Sequence, residues 1–235
     1  MKFRAILFDA GNTLLFLDFA RMAREVGPAI GIPLTEAQLA AQAKPAALLL
    51  ERADRSDRER ASVYLETLFL MAGVPRSSIE AVRNRLLELH QEGHLWSAMD
   101  PGTPAALQRL KDGGFRLAVV SNSDGRVEEA LEATGIRHFF EVVIDSQLVG
   151  FEKPDPRIFF EALTRLGVSP SQALYVGDIY EVDVVGARRA GMDVVLLDPL
   201  ENHAHRDTRT VRSVPELARM LLDGDPSAGR IPAPR

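Results

Sequence analysis

The second half of the chain, from Asp100 onward, alternates short apolar runs with segments of helical periodicity. The apolar runs cover residues 115–120, 142–144, 173–176 and 194–197. Runs of this length without polar alternation are typical of strands that are buried on both faces. Because such strands alternate with helices, the pattern predicts a parallel sheet with right-handed crossovers and helices on both faces.

Helices are expected between these strands, at about residues 125–134, 156–166 and 182–190. Asp155 stands directly before Pro156, which places a capping side chain ahead of a proline at the first helical position. A further apolar run at residues 3–8 belongs to the same sheet, although a long helical segment separates it in sequence. The prediction is an α/β fold with a doubly wound parallel sheet.

The separating segment predicts an all-helical insertion, because no convincing strand lies between Leu15 and Trp96. Thr35 with Gln38 matches the capping-box spacing that starts a helix. We therefore expect a core formed by residues 1–15 and 100–222, a helical insertion at 16–99, and a mobile tail, rich in Gly and Pro, at 223–235. Trp96 is expected to pack where the insertion joins the core.

The composition of the chain excludes several classes of binding partner. The 235 residues are 46% hydrophobic and carry a formal net charge of -5, with no basic face suited to nucleic acid or an anionic membrane. A small molecule is the expected partner. The absence of cysteine excludes disulfides and thiolate metal sites. We find no secretory leader and no apolar segment of membrane-spanning length, so a soluble cytoplasmic protein is expected.

Polar side chains follow the expected strands at the points where they end. Asp9 follows the first strand, Ser121 and Asn122 the second, and Asp178 the fourth, whereas Lys153 lies on the loop after the third. In a doubly wound sheet these positions converge on one edge, where ligands bind. The sequence therefore predicts a single site at this edge.

The residue types at this site suit phosphoryl transfer. A carboxylate such as Asp9 can attack phosphorus and form a covalent intermediate, but nucleophile and phosphate are both anions. Lys153 and a divalent cation held by Asp9, Asp178 and Asp183 would offset that repulsion, and the Ser121 hydroxyl would bind phosphate oxygens. Oxygen-only ligation indicates Mg²⁺ rather than zinc.

With these motifs residues 1–199 resemble the haloacid dehalogenase-like (HAD) hydrolase superfamily, whose core is Rossmann-like and whose members are mostly Mg²⁺-dependent phosphatases. The strongest matches are Ser121-Asn122, the Gly-Phe-Glu-Lys-Pro-Asp-Pro-Arg-Ile-Phe segment at 150–159, and Val176-Gly177-Asp178 with Asp183, Gly186-Ala187 and Ala190-Gly191. The resemblance implies that the insertion is a mobile cap. It implies catalytic roles for Asp9, Ser121 and Lys153, substrate binding by Gly11, Ser121, Asn122 and Lys153, and metal binding by Asp9, the Gly11 carbonyl, Asp178 and Asp183.

Gly11 departs from the family pattern. Phosphatases of this superfamily carry a second Asp at that position, which protonates the leaving group and then activates water. Glycine cannot transfer a proton, and loss of a positioned acid-base typically costs ~10² to 10⁴ in rate. We therefore expect a phosphatase with impaired acid-base catalysis that favours leaving groups needing little protonation, such as acyl or aryl phosphates.

Two other functions stay open. One is a catalytically weak HAD-fold protein that binds a phosphorylated metabolite or a protein and regulates it. The other, less favoured, is a 2-haloacid dehalogenase. Two histidine pairs, His90 with His94 and His203 with His205, are interpreted as surface residues rather than metal sites. The sequence does not identify the substrate or the oligomeric state.

Overall fold

The computed structural model describes residues 3–50, 57–199, 201 and 207–224. The pair His203 and His205 lies outside the described residues, and so does the expected mobile tail beyond residue 224. The chain divides into two compact units, Met1–Phe16 with Trp96–Arg235, and Leu17–Leu95. We call them the core unit and the helical unit.

The strands of the described segments are β1 (Ala5–Phe8), β2 (Phe16–Leu17), β3 (Trp96–Ala98), β4 (Arg116–Ser121), β5 (Val142–Asp145), β6 (Ala173–Gly177), β7 (Asp193–Leu197) and β8 (Arg209–Val211). The α-helices are α1 (Phe19–Ile30), α2 (Glu36–Leu50), α3 (Asp57–Met71), α4 (Ile79–Glu92), α5 (Thr103–Asp112), α6 (Val127–Ala133), α7 (Ser146–Val149), α8 (Pro156–Leu166), α9 (Val185–Arg189) and α10 (Val214–Leu222). A single turn of π-helix, Tyr180–Val184, precedes α9.

The core unit contains a six-stranded sheet in the order β5-β4-β1-β6-β7-β8. Every pair in it is parallel. Because the chain extends from β1 first toward β4 and β5, and later toward β6, β7 and β8, the sheet is doubly wound, with its reversal point between β1 and β6. The predicted α/β class is confirmed. Strand β8 was not predicted, because a run of three residues is too short to show a period. Helix α10 was not predicted either.

Both faces of this sheet are buried, as the uniform apolar runs predict. On β1, Ile6 and Phe8 contribute to one apolar layer, whereas Ala5 and Leu7 contribute to the other. Helices α5, α6 and α10 cover the first layer, and α8 and α9 cover the second. The alternation follows from the strand geometry, in which successive side chains point to opposite faces.

The helical unit consists of α1 to α4 in its described part. Its buried side chains include Met22, Val26, Leu68 and Phe69. The capping box of Thr35 with Gln38 is present, with Thr35 N donating to Gln38 Oε1 at 2.8 Å and Gln38 N to Thr35 Oγ1 at 3.2 Å. The expectation of an entirely helical segment at 16–99 is wrong at its two ends, where the backbones of β2 and β3 form a two-stranded sheet.

The rings of His90 and His94 meet edge-on with 4.5 Å between their centroids, and both side chains are half-buried. No helix in the described segments combines the length and the apolar character needed to cross a membrane.

The two adjacent phenylalanines of α8 test the packing of the second apolar layer. Phe159 is completely buried and meets Tyr175 edge-on with 4.9 Å between ring centroids, whereas Phe160 is 43% exposed. We expect Phe159→Ala to lower the free energy of unfolding by about 3–5 kcal/mol, because it leaves a cavity under the sheet. Phe160→Ala, the matched control, should cost less than about 1 kcal/mol. Urea unfolding curves measure both; equal losses would contradict this description of α8.

Candidate active site

The site lies at the reversal point of the sheet. Phe8 is in register with Val176 on the adjacent strand, so that the carboxyl ends of β1 and β6 lie side by side. Asp9 directly follows β1 and its N–H donates to the carbonyl of Val176 at 2.8 Å. Asp178 directly follows β6. The two carboxylates therefore flank the crevice in which open α/β sheets bind ligands.

Lys153 links the end of β1 to β6 and to the π-helical turn that follows β6. Its Nζ lies 2.6 Å from Asp9 Oδ1, 2.8 Å from Asp183 Oδ1 and 3.0 Å from the Tyr175 hydroxyl, and the side chain is only 2% exposed. An ammonium has three hydrogens to donate, so each has an acceptor in the protein. Burial alone would lower the pKa of Lys153, but the charges of Asp183 and Asp9 raise the pKa well above its usual value. Lys153 is therefore a fixed positive charge.

Four hydrogen-bond donors hold the carboxylate of Asp183. Its Oδ2 accepts hydrogen bonds from the backbone N–H groups of Asp178 at 3.1 Å and Ile179 at 2.9 Å, whereas Oδ1 faces Lys153 and Tyr175. This approach requires a glycine at position 177, because a Cβ there would lie 2.3 Å from Asp183 Cγ. Asp183 therefore stabilises the turn after β6 and the position of Lys153 together.

The electrostatics of the site favour a cation. Carboxylate oxygens of Asp9, Asp178 and Asp183 lie within 4.8 Å of one another, and the ammonium of Lys153 pairs with two of them, Asp9 and Asp183. Burial, more than the neighbouring Asp183, raises the pKa of Asp9 to about 7, with Lys153 acting in the opposite direction. Burial and the charges of Asp9 and Asp183 likewise raise the pKa of Asp178 well above its usual value. If all three acids are ionised, two negative charges are left uncompensated, which fits a divalent cation.

The predicted phosphate-binding residues lie at the neighbouring strand end. Ser121 is the buried last residue of β4 and stands in register with Asp145 of β5. The Asn122 side chain holds the backbone of Lys153 at both ends: Oδ1 accepts from Lys153 N at 2.7 Å, and Nδ2 donates to Lys153 O at 3.0 Å. Asn122 thus fixes the loop that carries the lysine.

Two residues that contribute to this region were not predicted from the sequence, Tyr175 and Asp145. Tyr175 lies inside the apolar run of β6, yet its hydroxyl lies 3.1 Å from both Val120 O and Asp183 Oδ1 as well as contacting Lys153. Burial and Asp183 raise the pKa of Tyr175 well above its usual value, so the phenol stays neutral. Asp145 accepts from the backbone N–H groups of Gly125, Val127 and Gln147, which fixes the loop after β4. An acid at the end of an apolar run was the available signal for Asp145.

Gly11 lies in the tight turn after β1, where the N–H groups of Leu14 and Leu15 both donate to Ala10 O at 2.9 Å. Its backbone is not in the left-handed region, and a Cβ at this position would meet Trp96 Nε1 at 3.5 Å, an ordinary contact. The fold therefore does not require glycine here. The acid-base group that the family pattern leads one to expect is missing for a reason other than backbone strain.

The buried hydroxyl of Tyr175 gives a test of this arrangement. Tyr175→Phe keeps the ring but leaves Lys153 with two acceptors, so we expect the free energy of unfolding to fall by about 1–3 kcal/mol. Tyr180→Phe is the matched control, because the Tyr180 hydroxyl contacts Asp207 at the surface, and it should cost less than about 0.5 kcal/mol. Thermal and urea unfolding measure both. A Tyr175→Phe protein as stable as the wild type would refute the structural role of the hydroxyl.

Comparison with known proteins agrees with this geometry. The family model of haloacid dehalogenase-like hydrolases matches residues 3–191. The glyceraldehyde 3-phosphate phosphatase of Methanothermobacter thermautotrophicus is 33% identical over 210 residues, which is 87% of this chain and 89% of that protein. The haloacid dehalogenase-like hydrolase domain-containing protein 3 of Mus musculus is 37% identical over 163 residues, or 68% of this chain, but the match spans only 64% of the mouse protein.

A solved structure extends the likeness to the whole fold. The HAD phosphatase from Thermococcus onnurineus superposes with a TM-score of 0.59 at 26% sequence identity, and the match covers 94% of this chain and 99% of that one. The doubly wound sheet, the charged residues at its reversal point and the matched family model lead to the same conclusion. This chain belongs to the haloacid dehalogenase-like hydrolases and is a hydrolase.

Proposed function

We propose that the chain is an Mg²⁺-dependent phosphatase that acts on a small phosphorylated metabolite through an aspartyl-phosphate at Asp9. The observation that carries this proposal is the placement of Asp9. It lies at the reversal point of the sheet, 2.6 Å from the ammonium of Lys153 and within 4.8 Å of two further carboxylates. The Methanothermobacter thermautotrophicus relative, which is named a glyceraldehyde 3-phosphate phosphatase, supports a phosphate monoester as substrate.

Asp9 and Asp178 are the proposed side-chain ligands of the cation, together with the carbonyl of Gly11. Asp183 supports the site from behind, because both of its oxygens already bind protein donors. When bound, Mg²⁺ would stabilise the ionised form of Asp9 and offset the charge of the phosphoryl oxygens. Oxygen ligands of this kind suit Mg²⁺ better than a softer metal.

The residues divide the reaction between them. Lys153 holds Oδ1 of Asp9, so the second carboxylate oxygen attacks phosphorus, and the bond from phosphorus to the leaving-group oxygen breaks. Water then attacks the phosphorus of the aspartyl-phosphate, which releases inorganic phosphate and restores Asp9. Ser121, at the end of the neighbouring strand, and the fixed charge of Lys153 are the proposed phosphoryl-binding groups.

Gly11 offers no proton for the leaving group, so the departing oxygen must take one from water. The missing proton slows departure of the leaving group most when that group is a strong base such as an alkoxide. It slows departure least when the group is an aryloxide or a carboxylate. We therefore propose that acyl or aryl phosphates react fastest.

Replacement of the proposed nucleophile tests the first step. Asp9→Asn should lower kcat on any phosphomonoester by at least about 10³-fold, because an amide cannot form the covalent intermediate. The matched control is Asp155→Asn, at the N-cap of α8, which should keep its kcat. In the wild type, beryllium fluoride with Mg²⁺ should form an adduct on Asp9 that ¹⁹F NMR detects.

Leaving groups of graded pKa test the role of Gly11. The wild type should hydrolyse aryl phosphates much faster than alkyl phosphates, whereas Gly11→Asp should raise kcat/KM on alkyl phosphates by ~10²-fold. Gly11→Ala is the control, because its Cβ fits beside Trp96 at an ordinary contact distance and adds no acid. Equal wild-type rates on the two ester classes would contradict the proposed lack of acid catalysis.

A second candidate function rests on the same residue. Since Gly11 removes the usual acid-base, the chain could serve as a HAD-fold protein that binds a phosphorylated ligand and regulates a partner. The beryllium fluoride experiment separates the two, because a pure binder has no need of a reactive Asp9. Activity in EDTA with release of halide would instead indicate the dehalogenase. A cytoplasmic location and the absence of nucleic-acid or membrane partners remain predictions.

A further inference from the structure

Asn12, which follows Gly11, has an unusual backbone conformation for a residue other than glycine. Its φ is 52°, in the left-handed region where glycine has no steric cost and most other residues do. Asparagine tolerates this region better than most residues, because its short polar side chain can form local hydrogen bonds.

The amide of Asn12 links an indole to a carboxylate. Trp96 Nε1 donates to Asn12 Oδ1 at 3.3 Å. The Asn12 side chain also lies close enough to Asp178 to act on the pKa of that carboxyl, which it lowers against the larger effect of burial. An indole N–H can only donate, so the oxygen of the amide must face Trp96. This leaves the NH₂ end, which can only donate, for the carboxylate of Asp178. The orientation of the amide is thus set by the tryptophan.

Trp96 is placed for this contact by the strand that carries it and by Gly11. It is the first residue of β3, it packs against the apolar layer of the core unit, and its indole lies over Gly11, 3.5 Å from where a Cβ would stand. The indole therefore lies beside position 11 without occupying the space of a Cβ. All three residues belong to the core unit.

We propose that Asn12 and Trp96 are positioning residues for the metal site: Trp96 orients the Asn12 amide, and the amide orients the carboxylate of Asp178 toward the cation. This inference rests on the proposed function, in which Asp178 binds Mg²⁺. Groups that orient a metal ligand typically account for 10–100-fold in metal affinity. Because Asn12 is exposed and water competes for its hydrogen bonds, the lower end of that range applies.

Isothermal titration of the full chain with MgCl₂ tests the proposal. Asn12→Gly keeps a residue suited to the left-handed turn and removes only the amide, so the Kd for Mg²⁺ should rise about 10-fold. Trp96→Phe removes the donor and keeps an aromatic ring, and the Kd should rise about 3-fold. Asn84→Ala, which removes an exposed amide from α4, is the matched control and should leave the Kd unchanged.

The double variant separates positioning from a general structural effect. If Trp96 acts only through Asn12, Trp96→Phe should not raise the Kd further in the Asn12→Gly background. Since Trp96 is the single tryptophan, its emission should also change with Mg²⁺ in the wild type and lose this response in Asn12→Gly. Additive losses in the double variant would overturn the proposed relay.

The Mg²⁺ titrations distinguish failure of the positioning role from failure of the proposed function. If the wild type binds Mg²⁺ and Asp178→Asn weakens that binding, whereas Asn12→Gly does not, the positioning role is wrong and the proposed function stands. If the wild type shows no Mg²⁺ binding at millimolar concentrations, the proposed metal-dependent function itself is wrong. Circular dichroism and thermal unfolding of each variant confirm that affinities are compared between folded proteins.

Discussion

The buried ammonium of Lys153 is the interaction on which the rest of the site depends. It hydrogen bonds to Asp9, Asp183 and Tyr175. It therefore links the residue after β1 to the interior of β6 and to the π-helical turn that follows β6. A charge this deeply buried is stable only when it is paired and fully hydrogen-bonded. The three carboxylates around it exceed what one lysine can neutralise, and the proposed divalent cation would compensate the remaining charge.

The topology of the sheet brings these groups together at one edge. Because the winding reverses between β1 and β6, the chain leaves a crevice there, and the carboxylates that follow the two strands face it. The lysine arrives from the loop after β5, and Asn122 holds the backbone of that loop in place. The proposed metal-binding and phosphate-binding groups thus lie at the carboxyl ends of the central strands of the core unit.

Gly11 separates two properties that are usually found together in a phosphatase. The charged residues that would bind a phosphoryl group and support a nucleophile are all present, whereas the group that would move a proton is not. The turn could hold a side chain at this position, and the indole of Trp96 lies beside the empty space instead. Under the proposed function, the chain would depend on the chemistry of its substrate for the step that an acid-base normally assists.

The sequence by itself determined the fold class, the five longer strands of the sheet and the polar residues at their ends, because apolar runs and the positions just after them can be read from one segment at a time. Only the tertiary structure decided which atoms meet. Tyr175 is indistinguishable from core in its own strand, and nothing in the spacing shows that Asn122 binds the backbone of Lys153 or that Asn12 binds Trp96. Periodicity fixes the face on which a side chain lies, but its partners come from distant segments that only packing brings within hydrogen-bond distance.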